Sequence, residues 1–286
     1  MLGQVTSLAG SVTSRSSPQP VRVVIMGASG RMGARLVALA TETPGLAIGA
    51  AVERAGHPSL SRDAGEAAGA VSIGVAIGAD VRAALSAGDV VIDFTTPAAT
   101  LALLPRAVEA KIALVIGTTG LDARGVEAIR SASSRIPIVF APNMSLGMNV
   151  MFKVVADVAR ALGAGYDVEI VEAHHRQKKD APSGTALALG RALADAAKHR
   201  LDEVAVYARH GDVGPRSTGE IGIQTIRAGD IVGDHTVLFG GLGERLEITH
   251  RASSRDTFAR GALRAAQWLS DKPPGLYDMQ DVLCLR

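Results

Sequence analysis

The sequence has a single cysteine, few aromatic side chains and almost no excess charge of either sign. Because Cys284 stands alone, an internal disulfide bond and a zinc site built from cysteines are excluded, which fits a reducing compartment such as the cytoplasm. The net charge is +2, from 30 basic and 28 acidic side chains, and 3% of the residues are aromatic. We therefore expect neither a nucleic-acid partner nor binding to an anionic membrane.

The sequence also lacks a long apolar run. Its longest uncharged stretch, residues 136–152, is interrupted by proline, asparagine, serine and glycine, so it does not predict a membrane-spanning helix. Residues 1–20 carry one charged side chain, Arg15, and have no apolar core of the kind found in secretory signals. We expect a disordered tail there, with a transit peptide as the alternative.

Residues 21–143 alternate apolar, β-branched runs with helical segments. The run VRVVIMG is followed by a glycine turn and the amphipathic segment ARLVALATET; LAIGAAVER, DVVIDFTT, ALVIGTT and IPIVFAPN follow, with helical patterns between most of them. This order predicts a Rossmann-type parallel sheet with crossover helices.

After Asn143 the pattern changes, because strands now follow one another with fewer helices between them. Helices are predicted over residues 145–162 and 183–198, and strands over 166–175, 203–209, 221–229 and, as a pair, 235–252. A last helical segment covers residues 255–270. The second half therefore predicts a C-terminal α+β domain with an open mixed sheet, and the fold class of the whole chain is α/β.

The segment GASGRMG, residues 27–33, places three glycines between the first strand and its helix. Gly27 permits a tight turn, Gly30 lets the backbone approach a pyrophosphate, and Gly33 lets the helix pack close to the sheet. Glu53 follows the second strand, where it can accept hydrogen bonds from a ribose, and Arg54 beside it could bind a 2′-phosphate. The pattern predicts NADH or NADPH as cofactor without choosing between them; a turn without a ligand is the alternative.

The run EAHHRQKKDAPSGTA, residues 172–186, collects positive charge in an otherwise neutral chain. It lacks interleaved aromatics, and its adjacent histidines lack the spacing of a metal site, so we expect no metal. Ser183 is expected to cap a helix whose Gly184 and Thr185 amides remain unpaired. With Lys178 nearby, these amides predict a site for a carboxylated small molecule; a solvated loop is the alternative.

Together these segments resemble the dihydrodipicolinate reductase family, also called 4-hydroxy-tetrahydrodipicolinate reductase. The matching segments are GASGRMG, AVER, DFTTP, VIGTTG, EAHHRQKKDAPSGTA, RAGDIVGDH and GERLEITHRASSR. The resemblance covers residues 21–284 in order. It implies a reductase that uses NADH or NADPH on a cyclic dicarboxylate in the diaminopimelate route to lysine, and a homotetramer built through the second domain.

The resemblance also implies roles for individual residues. His174 would be the general acid or base, and Lys178 would donate a proton as hydride reaches the substrate ring. The other substrate-binding residues would be His175, Gly184, Thr185 and Thr119. The cofactor-binding residues would be Gly27, Ala28, Ser29, Gly30, Arg31, Met32, Glu53, Arg54, Phe94, Thr95, Gly117, Thr118, Thr119, Ala141, Pro142, Asn143 and Met144.

The expected domain organisation follows from the change of pattern and from the resemblance. Residues 21–145 and 256–286 would form a dinucleotide-binding domain, onto which the final helix returns. Residues 146–255 would form a domain for substrate binding and oligomerisation.

The sequence departs from the family pattern at three positions. Thr96 stands where some relatives carry arginine, Pro142 replaces a small residue, and Gln177 occupies a position that is histidine in some relatives. Two other functions stay open. One is a related dehydrogenase of an amino acid such as aspartate, and the other is a nucleotide-sensing protein without turnover.

Overall fold

The protein, as a computed structural model, is described over residues 19–286. The predicted tail therefore lies outside the described residues, apart from Gln19 and Pro20. Within this range no helix is both long and apolar enough to cross a membrane. Two sheets organise the described residues, and they are built in turn below from elements numbered along the chain.

The first sheet has seven strands. They are β1 (Val21–Met26), β2 (Leu46–Val52), β3 (Ile77–Gly78), β4 (Val90–Asp93), β5 (Ala113–Ile116), β6 (Pro137–Phe140) and β12 (Gly275–Tyr277). All neighbours are parallel, in the order β12-β6-β5-β4-β1-β2-β3, which confirms the predicted parallel sheet. Every residue of β4 and β5 is buried, as expected where helices cover both faces.

Helices cover both faces of this sheet. They are α1 (Arg31–Glu42), α2 (Ala64–Ala67), α3 (Val81–Ser86), α4 (Pro97–Ala110), α5 (Ala123–Ser133), α9 (Asp256–Leu269) and α10 (Met279–Val282). One buried core joins α1 and α9 to the sheet, and a second core joins α3, α4 and α5 to its other face. The side chains of Asp80, Thr96 and Asp122 cap α3, α4 and α5, which fixes where these helices begin.

The second sheet is mixed, as predicted. Its strands are β7 (Asp167–His174), β8 (Ala205–Val206), β9 (Ile221–Arg227), β10 (Gly233–Gly240) and β11 (Arg245–Ala252), in the order β11-β10-β7-β9-β8. Strand β10 is antiparallel to both of its neighbours, whereas β7, β9 and β8 are parallel. Helices α6 (Leu146–Leu162) and α7 (Gly184–Ala196) share a buried core with this sheet.

The predicted strand over residues 203–209 is wrong for most of its length. Only Ala205–Val206 pair with β9, and the preceding residues form a short helix, α8 (Leu201–Val204). Leu201 and Val204 lie three residues apart and both pack against the core of the second sheet. That spacing matches a helix and does not match the alternation of a strand.

The end of the chain returns to the first sheet, as the resemblance implies. Helix α9 packs against α1, and β12 adds a parallel edge strand beside β6. The approach is close, because a Cβ on Gly261 would lie 1.7 Å from the carbonyl oxygen of Met144. The edge strands β3 and β12 and the helix α10 are absent from the sequence prediction.

Candidate active site

The glycine turn between β1 and α1 has a backbone that few other residues could adopt. Gly27 has a φ of +64°, in the left-handed region that favours glycine. A Cβ on Gly33 would lie 2.0 Å from the carbonyl oxygen of Gly27, so α1 packs directly on the turn. Gly30 is the N-cap of α1 and has no side chain that could accept hydrogen bonds from the first amides of the helix. The first helical bond runs from the Ala34 N–H to Gly30, so the amides of residues 31–33 have no helical partner.

The same turn carries further polar groups that suit an anionic ligand. Ser29 Oγ is buried and has no hydrogen-bond partner within residues 19–286. The Ser29 N–H donates to Glu53 Oε1 at 3.0 Å, which holds that carboxylate beside the turn. Unpaired amides at a helix N-terminus and a buried hydroxyl are suitable donors to phosphate oxygens. These residues therefore fit the pyrophosphate of a dinucleotide.

A cavity of about 490 Å³ opens beside the turn, where β1, β2 and β4 end. We name it the nucleotide cavity. Four predicted cofactor-binding residues line it: Gly27, Glu53, Arg54 and Thr95. The carboxyl edge of a parallel sheet is the usual ligand-binding edge in this fold class, and the cavity lies there.

Buried Asp93, at the end of β4, connects the loop after β4, which contains Thr95, with the loop after β5, which contains Thr118. Its Oδ1 accepts from the Thr95 N–H at 2.9 Å and from the Thr95 hydroxyl at 2.5 Å. Its Oδ2 lies 2.7 Å from the Thr100 hydroxyl, which in turn lies 2.9 Å from the Thr118 hydroxyl. These hydrogen bonds hold the two loops together without requiring a ligand.

A second cavity, of about 620 Å³, lies between the two sheets, and we name it the central cavity. Its lining includes Thr118, Thr119, Pro142 and Asn143 on the side of the first sheet, and His174, Lys178, Asp180, Gly184 and Thr185 on the other. The structure thus brings most of the predicted substrate-binding residues together. His175 is not among the lining residues.

The start of α7 forms part of the wall of the central cavity. Ser183 Oγ accepts the Ala186 N–H at 3.1 Å, so the predicted N-cap is confirmed. The amides of Gly184 and Thr185 precede the first helical bond and have no helical partner. Asn143 Nδ2 donates to the Thr185 hydroxyl at 3.1 Å, which ties this helix to the first half of the chain.

Lys178 brings positive charge to the same wall. Its ammonium lies 2.9 Å from the Asp180 carboxylate, and its side chain is 21% exposed. The Lys178 N–H donates to the His175 carbonyl at 3.0 Å and closes the turn after β7. The next residue, Lys179, is exposed and does not line the cavity. Of the two adjacent lysines, one is therefore placed to contact a ligand.

His174 also lines the central cavity, and it pairs with a carboxylate absent from the sequence prediction. Its Nδ1 lies 2.6 Å from Glu172 Oε2, in a setting where His174 is 8% exposed and Glu172 is fully buried. Side chains two residues apart on a strand point to the same face, so the spacing of Glu172 and His174 within the predicted strand could have indicated this pair. With Nδ1 bonded to Glu172, Nε2 is the nitrogen available to a ligand.

Glu172 is itself held by several donors. Arg227 donates to both carboxylate oxygens at 2.8 and 2.9 Å, the Ser183 N–H donates at 2.9 Å, and the Thr225 hydroxyl lies 3.3 Å away. Burial raises the pKa of the Glu172 carboxyl, but the bonds from Arg227, His174 and Ser183 outweigh it and lower the pKa below its ordinary value. For His174 burial acts in the opposite direction and lowers the pKa, although the neighbouring Glu172 carboxylate opposes that shift. Near pH 7 a neutral imidazole therefore faces an ionised carboxylate.

Two family models match the sequence. One, described as dihydrodipicolinate reductase, N-terminus, matches residues 21–144, and the other, described as dihydrodipicolinate reductase, C-terminus, matches residues 147–283. The chain belongs to the dihydrodipicolinate reductase family.

Known proteins carry the same family assignment. The chain is 53% identical over 265 residues to a 4-hydroxy-tetrahydrodipicolinate reductase of Anaeromyxobacter dehalogenans, a match that covers 93% of this chain and 98% of that one. It is 55% identical over 264 residues to the protein of that name from Chromobacterium violaceum, with 92% and 98% covered. Both dihydrodipicolinate reductase halves are thus present in one chain.

Solved structures share the fold. A dipicolinate-bound dihydrodipicolinate reductase from Paenisporosarcina sp. TG-14 superposes with a TM-score of 0.72 at 23% identity and covers 92% of this chain and 99% of that one. GenD2 from gentamicin A biosynthesis, in complex with NAD, gives a TM-score of 0.60 at 15% identity, with 96% and 94% covered. At these identities the likeness shows the α/β fold alone.

Several of the predicted cofactor-binding residues have buried side chains. Met144 is 1% exposed, and Ala28 and Ala141 are buried in the same core. A Cβ on Gly117 would lie 2.3 Å from the Phe94 ring, so this glycine makes room for the aromatic side chain. Contacts of such residues with a cofactor would come mainly from their backbone, and their roles stay predictions. Across residues 19–286 no three His, Cys, Asp or Glu side chains are grouped to hold a metal ion.

A second histidine absent from the sequence prediction lies behind His174. The rings of His174 and His235 are 5.2 Å apart between centroids and meet edge to face. His235 Nε2 lies 3.1 Å from Ser183 Oγ, so it supports the cap of α7. Burial lowers the pKa of His235 to about 3, and its ring is therefore neutral near pH 7.

Replacing His235 by asparagine is expected to weaken the pH dependence of stability. The unfolded chain binds a proton at this histidine below pH 6.5, whereas the folded protein does not until about pH 3. Stability therefore falls as the pH falls, and this group contributes about 1.4 kcal/mol per pH unit. Urea denaturation between pH 6.5 and pH 4.5 measures this slope. The lower limit is chosen because the contribution of Glu172 to stability, which comes from its lowered pKa, is lost only below about pH 4.5.

The control for this measurement is His210→Asn, which removes an exposed histidine. We expect the His210 variant to keep the wild-type slope. A His235 variant with the wild-type slope would contradict the assignment of the pH dependence to the buried ring.

Proposed function

We propose that the protein catalyses the reduction of 4-hydroxy-tetrahydrodipicolinate to tetrahydrodipicolinate with NADH or NADPH. The observation that carries the proposal is the central cavity, in which His174, Lys178 and the free amides of α7 face the loop of Thr118 and Thr119. Membership of both halves in the dihydrodipicolinate reductase family supports the same reaction.

A bound nicotinamide nucleotide supplies the hydride. The amides of residues 31–33 bind its pyrophosphate, and Glu53 accepts hydrogen bonds from its ribose hydroxyls. The Asp93 network holds the loops after β4 and β5, and the second of these loops extends from the nucleotide-binding sheet to the central cavity.

The substrate is a ring with two carboxylates, and the central cavity offers donors and positive charge to it. The Gly184 and Thr185 amides donate to one carboxylate, assisted by the positive end of the α7 dipole. Lys178 attracts the same anion. His175 lies outside the lining, so its role as a substrate ligand requires the turn after β7 to move when substrate binds.

Exchange of the 4-hydroxyl for hydrogen takes up one hydride and one proton and releases one water. We assign the proton to the Lys178 ammonium, because burial lowers the pKa of His174 and leaves its imidazole neutral near pH 7. The Glu172 carboxylate accepts a hydrogen bond from Nδ1–H of His174, so Nε2 presents a lone pair to the cavity. His174 thus orients the substrate or a water, and a proton that it accepts from the ring returns to the departing 4-hydroxyl, which leaves as water.

Steady-state kinetics test this reaction against the two alternatives. The absorbance of reduced nicotinamide is followed with each nucleotide and freshly generated cyclic substrate, and separately with NAD or NADP and L-aspartate. We expect oxidation of the nucleotide with the cyclic substrate and no reaction with aspartate. Turnover of aspartate alone would identify an amino-acid dehydrogenase, and nucleotide binding without any turnover would identify a sensing protein.

The assembly, the domain roles and the cytoplasmic location stay predictions. We propose that residues 146–255 bind substrate and form a homotetramer, and that residues 21–145 with 256–286 bind the nucleotide. Ile226 and Leu246 are exposed apolar side chains on strands of the second sheet, which supports burial against another copy. Sedimentation of the purified protein measures the oligomeric state.

A further inference from the structure

One wall of the nucleotide cavity is a single face of α4. Ala99, Ala102, Leu103 and Arg106 line the cavity, and their spacing of three and four residues places them on one side of the helix. Arg106 lies about 10 Å further along the helix axis than Ala99. The first three side chains are small or apolar and leave space beside the helix, and Arg106 is the lining residue of α4 furthest from the start of the helix.

Two arginines therefore line the cavity, Arg54 after β2 and Arg106 from α4. In the described part of the chain neither forms an ion pair with a carboxylate. The acids next to Arg106, which share an adjoining cavity with it, are engaged elsewhere: Asp80 caps α3, and Glu109 pairs with Arg82 at 3.8 Å. Both guanidinium groups are available to an anion.

Glu53 makes a second cation necessary if a phosphate is to bind in this cavity. Its carboxylate accepts the N–H groups of Ser29 and Arg54 at 3.0 and 3.2 Å, so it is held at the cavity wall. A phosphate monoester carries a charge of about −1.5 to −2 at pH 7. Arg54 alone offsets only Glu53, whereas Arg54 and Arg106 together leave a net positive charge for the phosphate.

We infer that Arg106 binds the 2′-phosphate of NADPH together with Arg54, and so sets how well the protein accepts NADPH relative to NADH. The inference rests on the proposed function, since it uses the same nucleotide site. A guanidinium donates two parallel hydrogen bonds to a phosphate. NADH has no 2′-phosphate, and its ribose hydroxyls are satisfied by Glu53 without help from Arg106.

Arg106→Ala tests the inference through nucleotide binding alone. Nicotinamide fluorescence is titrated with each reduced nucleotide, on the full-length protein and without substrate. We expect the Kd for NADPH to rise about tenfold, the loss of one charge-assisted hydrogen-bonded contact, and the Kd for NADH to change less than about twofold. Arg106→Lys keeps the charge without the planar fork and is expected to lie between the wild type and the alanine variant.

The matched control is Arg62→Ala. Arg62 is exposed, and its carbonyl accepts the N–H of Ile77 on β3, but it does not line the nucleotide cavity and forms no ion pair within residues 19–286. We expect its removal to change neither Kd. A control that weakens NADPH as much as Arg106→Ala would show that the effect comes from the general positive field and would overturn the inference.

Two further results would overturn it. Equal weakening of NADPH and NADH would place Arg106 against the adenine or another shared part, and an unchanged Kd for NADPH would remove it from the phosphate site. Failure of the proposed function is distinct, because the wild type would then bind nucleotide without oxidising it when the cyclic substrate is added. Competition by 2′-AMP and 5′-AMP isolates the phosphate, and only the 2′-AMP affinity should fall in the variant.

Discussion

Replacing Lys178 by alanine is expected to lower kcat by about 10²-fold or more, the usual contribution of a general acid. The ammonium lines the central cavity beside the α7 N-terminus and is the group to which we assign the proton. The KM for the cyclic substrate should rise as well, because a carboxylate loses a cation. The Kd for NADH should stay at its wild-type value, since Lys178 does not line the nucleotide cavity. Initial rates with saturating nucleotide measure the first two effects.

Lys179→Ala is the matched control, since it removes the same charge from the adjacent, exposed position. We expect wild-type turnover in that variant. Equal losses in the two variants would show that the loop acts only by its overall charge. Wild-type turnover after removal of Lys178 would take the proton-donating role away from it.

Replacing Glu172 by glutamine should also lower kcat by about 10²-fold, because the general acid–base site loses the group that orients His174. The amide cannot accept from His174, Ser183 and Arg227 at once, and it removes the carboxylate to which Arg227 donates twice. Removal of one partner of such a buried pair lowers the free energy of unfolding by about 3–5 kcal/mol. Urea denaturation and initial rates, measured on the same preparation, test both effects.

The pH dependence separates a positioning role from a structural one. Because Glu172 raises the pKa of His174, its removal lowers that pKa further. The acidic limb of the rate profile, where His174 becomes protonated, should therefore move to lower pH. An unmoved limb would mean that Glu172 supports the fold without tuning His174.

Glu169→Gln is the control for this variant. Glu169 lies on the same strand and pairs with Arg209 and Arg216 at 3.0 and 3.2 Å, yet it lines neither cavity. We expect a loss of stability with wild-type kcat and a wild-type rate profile. A loss of kcat comparable with that of the Glu172 variant would assign the effect to destabilisation.

The parts of the site that could be predicted from the sequence are those with local signals. The glycine turn is specified by three glycines within seven residues, of which Gly27 needs a left-handed backbone and Gly33 meets the Gly27 carbonyl. The cap of α7 is likewise local, since Ser183 and the amide it binds lie three residues apart. Such patterns depend on short-range geometry that every chain with those residues shares.

The remaining features depend on pairings between distant segments. Glu172 and Arg227 meet because β7 and β9 are parallel neighbours, and nothing in either segment alone specifies that register. The three-residue strand β12 is too short to show a period and forms only because β6 offers a free edge. The two-residue strand β8 was overestimated for the same reason, since an apolar run does not say where pairing stops.

The return of α9 and β12 to the first sheet has a consequence for biosynthesis. The sheet that begins at Val21 gains its last strand from Gly275–Tyr277, while the second sheet is complete at Ala252. During translation the later half can fold while the earlier half still has an open edge and an uncovered α1. Synthesis of Gly275–Tyr277, well after the second sheet has been made, is therefore the event that completes the first sheet.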